Sequence, residues 1–133
     1  MSAPQHRTMR TPLGRVRHHG AGHEGTHHFI ATRVTSIALL VLATWFTVAI
    51  VLGMHDTSYE SALAFMSDPV NVVVAALLLV TGFYHMVIGM QEVIVDYIGK
   101  PGTRIVLLLL NTLIPTALAA AALFALLRLN FGV

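Results

Sequence analysis

Four side chains between positions 85 and 97 have types and spacing that could do chemistry: His85, Glu92, Asp96 and Tyr97. If the stretch is helical, steps of 7 and 11 residues are nearly whole numbers of turns, so positions 92 and 96 fall within about 20° of position 85. An imidazole and two carboxylates then share one face. Thr81, Gly82, Ile88 and Gly89 flank the same stripe, and the two glycines would let a flat, bulky group approach the helix backbone. That is what an axial haem ligand needs. An imidazole in such a place can also simply be held by a hydrogen bond to a Ser, a Thr or a carbonyl on a neighbouring helix, and spacing alone does not settle which. Tyr97 lies about 16 to 18 Å along the helix from His85. Tyrosines near a helix end are often part of an aromatic belt at a membrane surface. A neutral phenol is also a good hydrogen-bond donor to a carbonyl oxygen. A neighbouring carboxylate such as Asp96 can orient it and assist proton delivery to a group that takes up two electrons and two protons, for which a quinone is the candidate.

The elements that must position these groups follow from composition. The chain has 133 residues, 56% hydrophobic and 11% charged, with a mean hydropathy of +0.75, more apolar than a soluble domain of this size. With no cysteine, disulfides, thiolate metal sites and cysteine nucleophiles are excluded. The net charge of +2 is too small to argue for nucleic acid. Three windows carry no charge: Val34 to Met54, Val70 to Gln91 and Ile105 to Leu127. Each is long enough to cross the ~30 Å hydrocarbon core at about 1.5 Å per residue. The fold class expected is an all-α membrane protein with three transmembrane helices. The first window is too long, and too far from the start, for a cleaved signal, and the Pro- and Gly-broken segment before it is a poor organelle presequence.

Charge placement gives an orientation. Arg7, Arg10, Arg15, Arg17 and Arg33 precede or border the first span against the single acid Glu24, and Lys100 and Arg104 return after the second. The loop from His55 to Pro69 holds Asp56, Glu60 and Asp68 with no Lys or Arg. The positive-inside rule then predicts a cytoplasmic N-terminus and a periplasmic C-terminus. His85 sits about 9 Å inside the cytoplasmic boundary, where an imidazole is costly unless paired or bound. No second histidine lies at that depth, since His55 is at the opposite face and His27 and His28 precede the first span. A six-coordinate haem would need its second ligand from another chain.

Residues 1–33 read as a flexible, basic, His-rich cytoplasmic arm, and residues 34–133 as the three-helix anchor domain. The arm's histidines, His18, His19, His23, His27 and His28, lack a regular ligand spacing, so a solvated arm near lipid head groups or partner subunits is the plainer account. Asp68-Pro69 is expected to cap the second helix, Lys100-Pro101-Gly102 to make the turn to the third, Pro115 to kink the third and Asn111 to bond across to another helix. Small residues at Gly82, Gly89 and Ala117 to Ala122 fit internal packing and a partner subunit equally. There is no internal repeat and no dinucleotide or phosphate-loop motif.

The run Phe83-Tyr84-His85-Met86-Val87-Ile88-Gly89-Met90-Gln91-Glu92-Val93-Ile94-Val95-Asp96-Tyr97 resembles the second-helix signature of the hydrophobic membrane anchor of succinate dehydrogenase (complex II), in which His is followed eleven and twelve residues later by Asp and Tyr. Upstream, the run from Gly25 through Arg33 to Thr35 is similar to the start of that family's first helix, and the resemblance reaches from Gly25 to the C-terminus. It implies a subunit with no active site of its own. Such a subunit pairs with the cytochrome b subunit and anchors the flavoprotein and iron-sulfur subunits in a bacterial inner membrane. His85 would be one axial ligand of a shared haem b, Tyr97 would contact ubiquinone with Asp96 in support, and Arg33, with His27 nearby, would lie toward the haem propionates. Glu92 departs from the usual pattern. The competing reading is a small structural or transport-related membrane protein whose His85 is only hydrogen-bonded.

Overall fold

The computed structural model describes residues 22–131, so the first 21 positions of the expected arm, His18 and His19 included, lie outside the described residues. Among the described residues four helices follow in order: α1 (Gly22–Gly53), α2 (Tyr59–Met66), α3 (Pro69–Tyr97) and α4 (Pro101–Phe131), with no strands. Three of these helices are long and apolar enough to cross a membrane, over Gly25–Gly53, Pro69–Tyr97 and Pro101–Asn130, with mean hydropathies of 2.3, 2.2 and 2.1. This is a multi-pass, all-helical membrane protein. A helix of 29 residues is about 43 Å long, more than the ~30 Å hydrocarbon core, so the ends tilt or stand in the head-group region.

Local chemistry sets the boundaries. Asp68 caps α3 as expected, its Oδ1 accepting from Val70 N at 2.8 Å and Asn71 N at 3.3 Å, with Pro69 in the first turn where its missing N–H costs nothing. At the other end, Arg104 donates from Nε to the Ile98 carbonyl at 3.1 Å and from a terminal nitrogen to the Val95 carbonyl at 2.7 Å. A guanidinium there satisfies open carbonyls and suits the negative end of the helix dipole. The turn differs from expectation: it occupies 98–100, and Pro101 and Gly102 already belong to α4. Proline is pre-organised for a first helical turn, which moves the boundary forward.

Two further differences concern α1 and the loop. Residues 22–33, expected in the arm, are helical and continuous with the first span. Once the span has nucleated the helix, adding a residue costs little, and hydroxyls bond back along the axis at Thr32 to the His28 carbonyl (2.9 Å) and at Ser36 to the Thr32 carbonyl (2.7 Å). The stretch from His55 to Pro69 contains α2, capped by Ser58, whose side chain accepts from Ser61 N at 3.1 Å. Phe65 of α2 is buried and meets Phe46 edge-on, with ring centroids 6.0 Å apart. The close approach depends on Gly53, where a Cβ would lie 3.2 Å from the Phe65 ring.

α3 is the central element. Both α1 and α4 pack on it, and they make little contact with one another. Pro115, expected to kink the third span, lies buried inside α4 without ending it. Asn111 reaches across as expected, donating from Nδ2 to the Val87 carbonyl at 2.9 Å. Among the described residues only Phe65, Ala75, Ile88, Ile94 and Pro115 are buried, and most large apolar side chains of the spans are exposed. In lipid this is no liability, because the surrounding acyl chains are as apolar as the side chains themselves.

Candidate functional site

Three of the four polar groups singled out by spacing, His85, Glu92 and Asp96, gather along one seam, where the C-terminal half of α3 faces the N-terminal half of α1. His85 is half-buried there. Its Nδ1 lies 2.8 Å from Thr35 Oγ1 of α1, and that hydroxyl also donates back to the Ala31 carbonyl at 2.8 Å, with the Thr32 carbonyl at 3.1 Å. Two turns along, Glu92 Oε1 is 2.6 Å from His28 Nδ1. The helices run antiparallel, and both pairs obey one register, since the step of seven residues along α1 from His28 to Thr35 matches seven residues back along α3 from Glu92 to His85. Seven residues are close to two turns, so the same two faces meet at both levels.

The two glycines beside His85 differ. A Cβ on Gly82 would meet Leu39 Cδ2 of α1 at 3.8 Å, ordinary packing, whereas a Cβ on Gly89 would have nothing within 4 Å. Gly89 instead floors a groove of about 640 Å³ whose walls include His28, Phe29, Arg33 and Glu92. Arg33 stands over the Phe29 ring, its guanidinium carbon 5.2 Å from the centroid. Among the described residues His85 Nε2 has no hydrogen-bond partner. His85 itself does not line this groove, which reaches α3 at Gly89, one turn away; the groups that a flat, iron-bearing, anionic group such as haem would need, an imidazole nitrogen without a partner, a bare glycine and a guanidinium, lie along the same stripe. His28, rather than His27, is the histidine that lines this groove.

Asp96 and Tyr97 part company. Adjacent residues on a helix are about 100° apart. Asp96 opens onto a small pocket of about 220 Å³ shared with His28, Gln91 and Glu92. Tyr97, 82% exposed, stands at the end of a different groove of about 460 Å³ between α3 and α4, lined by Met86, Met90, Val93, Leu110 and Ile114 among others. That groove is almost wholly apolar apart from Asn111 and the phenol.

Sequence reasoning missed Thr35 as the partner of His85 and His28 as the partner of Glu92. The signal was present in the matched spacing of seven residues, read antiparallel. Glu92, the departure from the expected pattern, is accounted for by His28. Among the described residues there is no cluster of three or more His, Asp or Glu able to hold a bare metal ion.

Fold and site together define a three-span helical membrane protein with a histidine and a carboxylate paired to polar side chains along one inter-helix seam. The family of succinate dehydrogenase/fumarate reductase transmembrane subunits matches residues 7–127, and the chain belongs to that family. It is 33% identical over 113 residues to the succinate dehydrogenase hydrophobic membrane anchor subunit of Paracoccus denitrificans, covering 85% of this chain and 86% of that one. The subunit of the same name from Rickettsia conorii is 28% identical over 106 residues, covering 80% and 79%. That from Rickettsia bellii is 26% identical over 91 residues, covering 68% and 72%. The resemblance drawn from residues 83–97 is thereby borne out, and the chain is a membrane anchor subunit of succinate dehydrogenase.

Proposed function

We propose that this anchor holds one side of a haem b through His85, contributes Tyr97 to a ubiquinone site, and fastens the flavoprotein and iron-sulfur subunits to a bacterial inner membrane beside the cytochrome b subunit. The observation that carries the reading is the state of the His85 ring: one nitrogen is engaged by Thr35 and the other has no partner among the described residues, on a stripe where Gly89 leaves the backbone bare. Haem, when bound, supplies a one-electron store close to the quinone. A second protein ligand to the iron would come from the cytochrome b subunit, because no other histidine of this chain lies at the depth of His85.

The remaining residues have roles their chemistry supports. Arg33 borders the groove beside Gly89 and offers a guanidinium to propionate carboxylates, with His27 next to the groove-lining His28. Tyr97 donates its phenolic O–H to a quinone carbonyl, lowering the cost of the charge that builds there on reduction. Asp96 opens onto the small pocket it shares with Glu92 and His28 rather than onto the Tyr97 groove, and supports Tyr97 from the adjacent position on the helix. The basic N-terminal flank sets the His28 and Tyr97 end on the cytoplasmic side, where the peripheral subunits dock.

The Thr35 bond also supports the competing reading, a histidine that is simply satisfied by a neighbouring helix. One experiment separates them. In the assembled complex, His85→Ala is expected to abolish or strongly alter the reduced-minus-oxidised b-type spectrum; an unaltered spectrum refutes the haem assignment and leaves the hydrogen-bonded histidine.

A further inference from the structure

We infer that Thr35 is the positioning residue for His85: its hydroxyl selects the imidazole tautomer and fixes the ring plane, so that Nε2 is the nitrogen presented to iron. The inference rests on the haem reading above and adds a residue on a different helix to it.

Proton counting decides the tautomer. A threonine hydroxyl has one proton and two lone pairs. Thr35 Oγ1 lies 2.8 Å from the Ala31 carbonyl and 3.1 Å from the Thr32 carbonyl, and carbonyls can only accept, so the hydroxyl proton is committed to its own helix. Toward His85 Nδ1, at 2.8 Å, Oγ1 is left to accept. A neutral imidazole carries one N–H, and this contact puts it on Nδ1. Nε2 then bears the lone pair, the form that binds a metal.

The contact also sets geometry. Thr35 is half-buried and held to the α1 backbone, so it cannot follow the imidazole if the ring turns. The His28–Glu92 pair, at 2.6 Å and two turns away, lies in the same antiparallel register as the Thr35–His85 contact. An N–H that donates to an oxygen makes the imidazole more electron-rich, which favours the ferric over the ferrous state. Thr35 therefore lowers the reduction potential of the haem as well as orienting its ligand.

The test is made in the complete, assembled complex with Thr35→Val, which keeps the shape and removes the acceptor, and Thr35→Ser, which keeps the acceptor and removes the methyl. Redox titration of the b-type absorbance and the low-spin ferric resonance are read, neither of which needs turnover. The expected result is an upward shift of the haem potential and an altered ferric resonance in Thr35→Val, with both returned to the parent values in Thr35→Ser. Should Thr35→Val fail to assemble, Thr35→Ala carries the same test without added bulk. Parent values in Thr35→Val or Thr35→Ala, or an equal shift in Thr35→Ser, overturn the inference. His85→Ala is run alongside: loss of the b-type signal there with no effect at Thr35 sinks the positioning role alone, whereas an intact signal in His85→Ala sinks the haem reading and this inference with it.

Discussion

The two seams of α3 are built from different materials. Against α1 it presents His85 and Glu92, each meeting a polar side chain, and a groove with both charged and apolar walls. Against α4 it presents methionines and branched aliphatics, and the side chains that bond across, Asn111 and Arg104, reach backbone carbonyls rather than other side chains. In lipid, apolar side chains gain nothing by leaving the acyl chains for one another, so the α4 seam rests on close packing and those hydrogen bonds. The α1 seam instead pairs His85 with Thr35 and Glu92 with His28 in one antiparallel register. Both seams hold a helix to α3; the α1 seam also sets what the imidazole faces.

If the seams divide the labour in this way, damage to each should have a different signature. His85→Ala should remove or reshape the b-type spectrum, whereas Asn111→Leu should leave that spectrum untouched; the same result from both would erase the distinction. Tyr97→Phe, at the mouth of the α4 groove, should cut quinone reduction by about 10²-fold while leaving succinate oxidation by an artificial acceptor intact, measured as the ratio of the two rates. Asn111→Leu should cost about 0.6–1.7 kcal/mol of stability, read as a lower midpoint in detergent unfolding. Glu92→Gln should cost at most ~1 kcal/mol, since the Glu92 side chain is 59% exposed and water screens the pair. A larger loss would mean that the register depends on this pair.

The smallest effect lies outside both seams. Asp56, in the loop before α2, accepts hydrogen bonds from the Ser58 hydroxyl and the Ser58 N–H, which hold its carboxyl below the usual value. A depressed folded-state value means that the loop's stabilisation is present above the ordinary carboxylate value and is lost as the pH falls through the lowered one. Ser58→Ala should raise the Asp56 value in a carboxyl NMR titration.

Much of this was legible from the chain alone, and unevenly so. Charge-free runs announced the three spans, and Asp68-Pro69 announced the start of α3, because both depend on local composition. The start of α1 was not legible: Gly22 and Gly25 read as breakers, yet a helix already nucleated in the span extends through them. α2 was missed because its amphipathic signal occupies only two turns and is stabilised by a tertiary contact, Phe65 against Phe46 and Gly53. At the site, periodicity gave the common face of His85, Glu92 and Asp96, and the same 100° step separates Tyr97 from Asp96, although the two are neighbours in the chain.

The sequence by itself determined that the chain crosses the membrane three times and that a histidine lies deep in the second crossing, since burial in lipid is decided by runs of side chains along a single helix. It could not say what faces that histidine. Which residue of α1 stands level with His85, and which glycine is packed and which open, depends on the translation and rotation of one helix against another, and those are fixed only when the two surfaces meet.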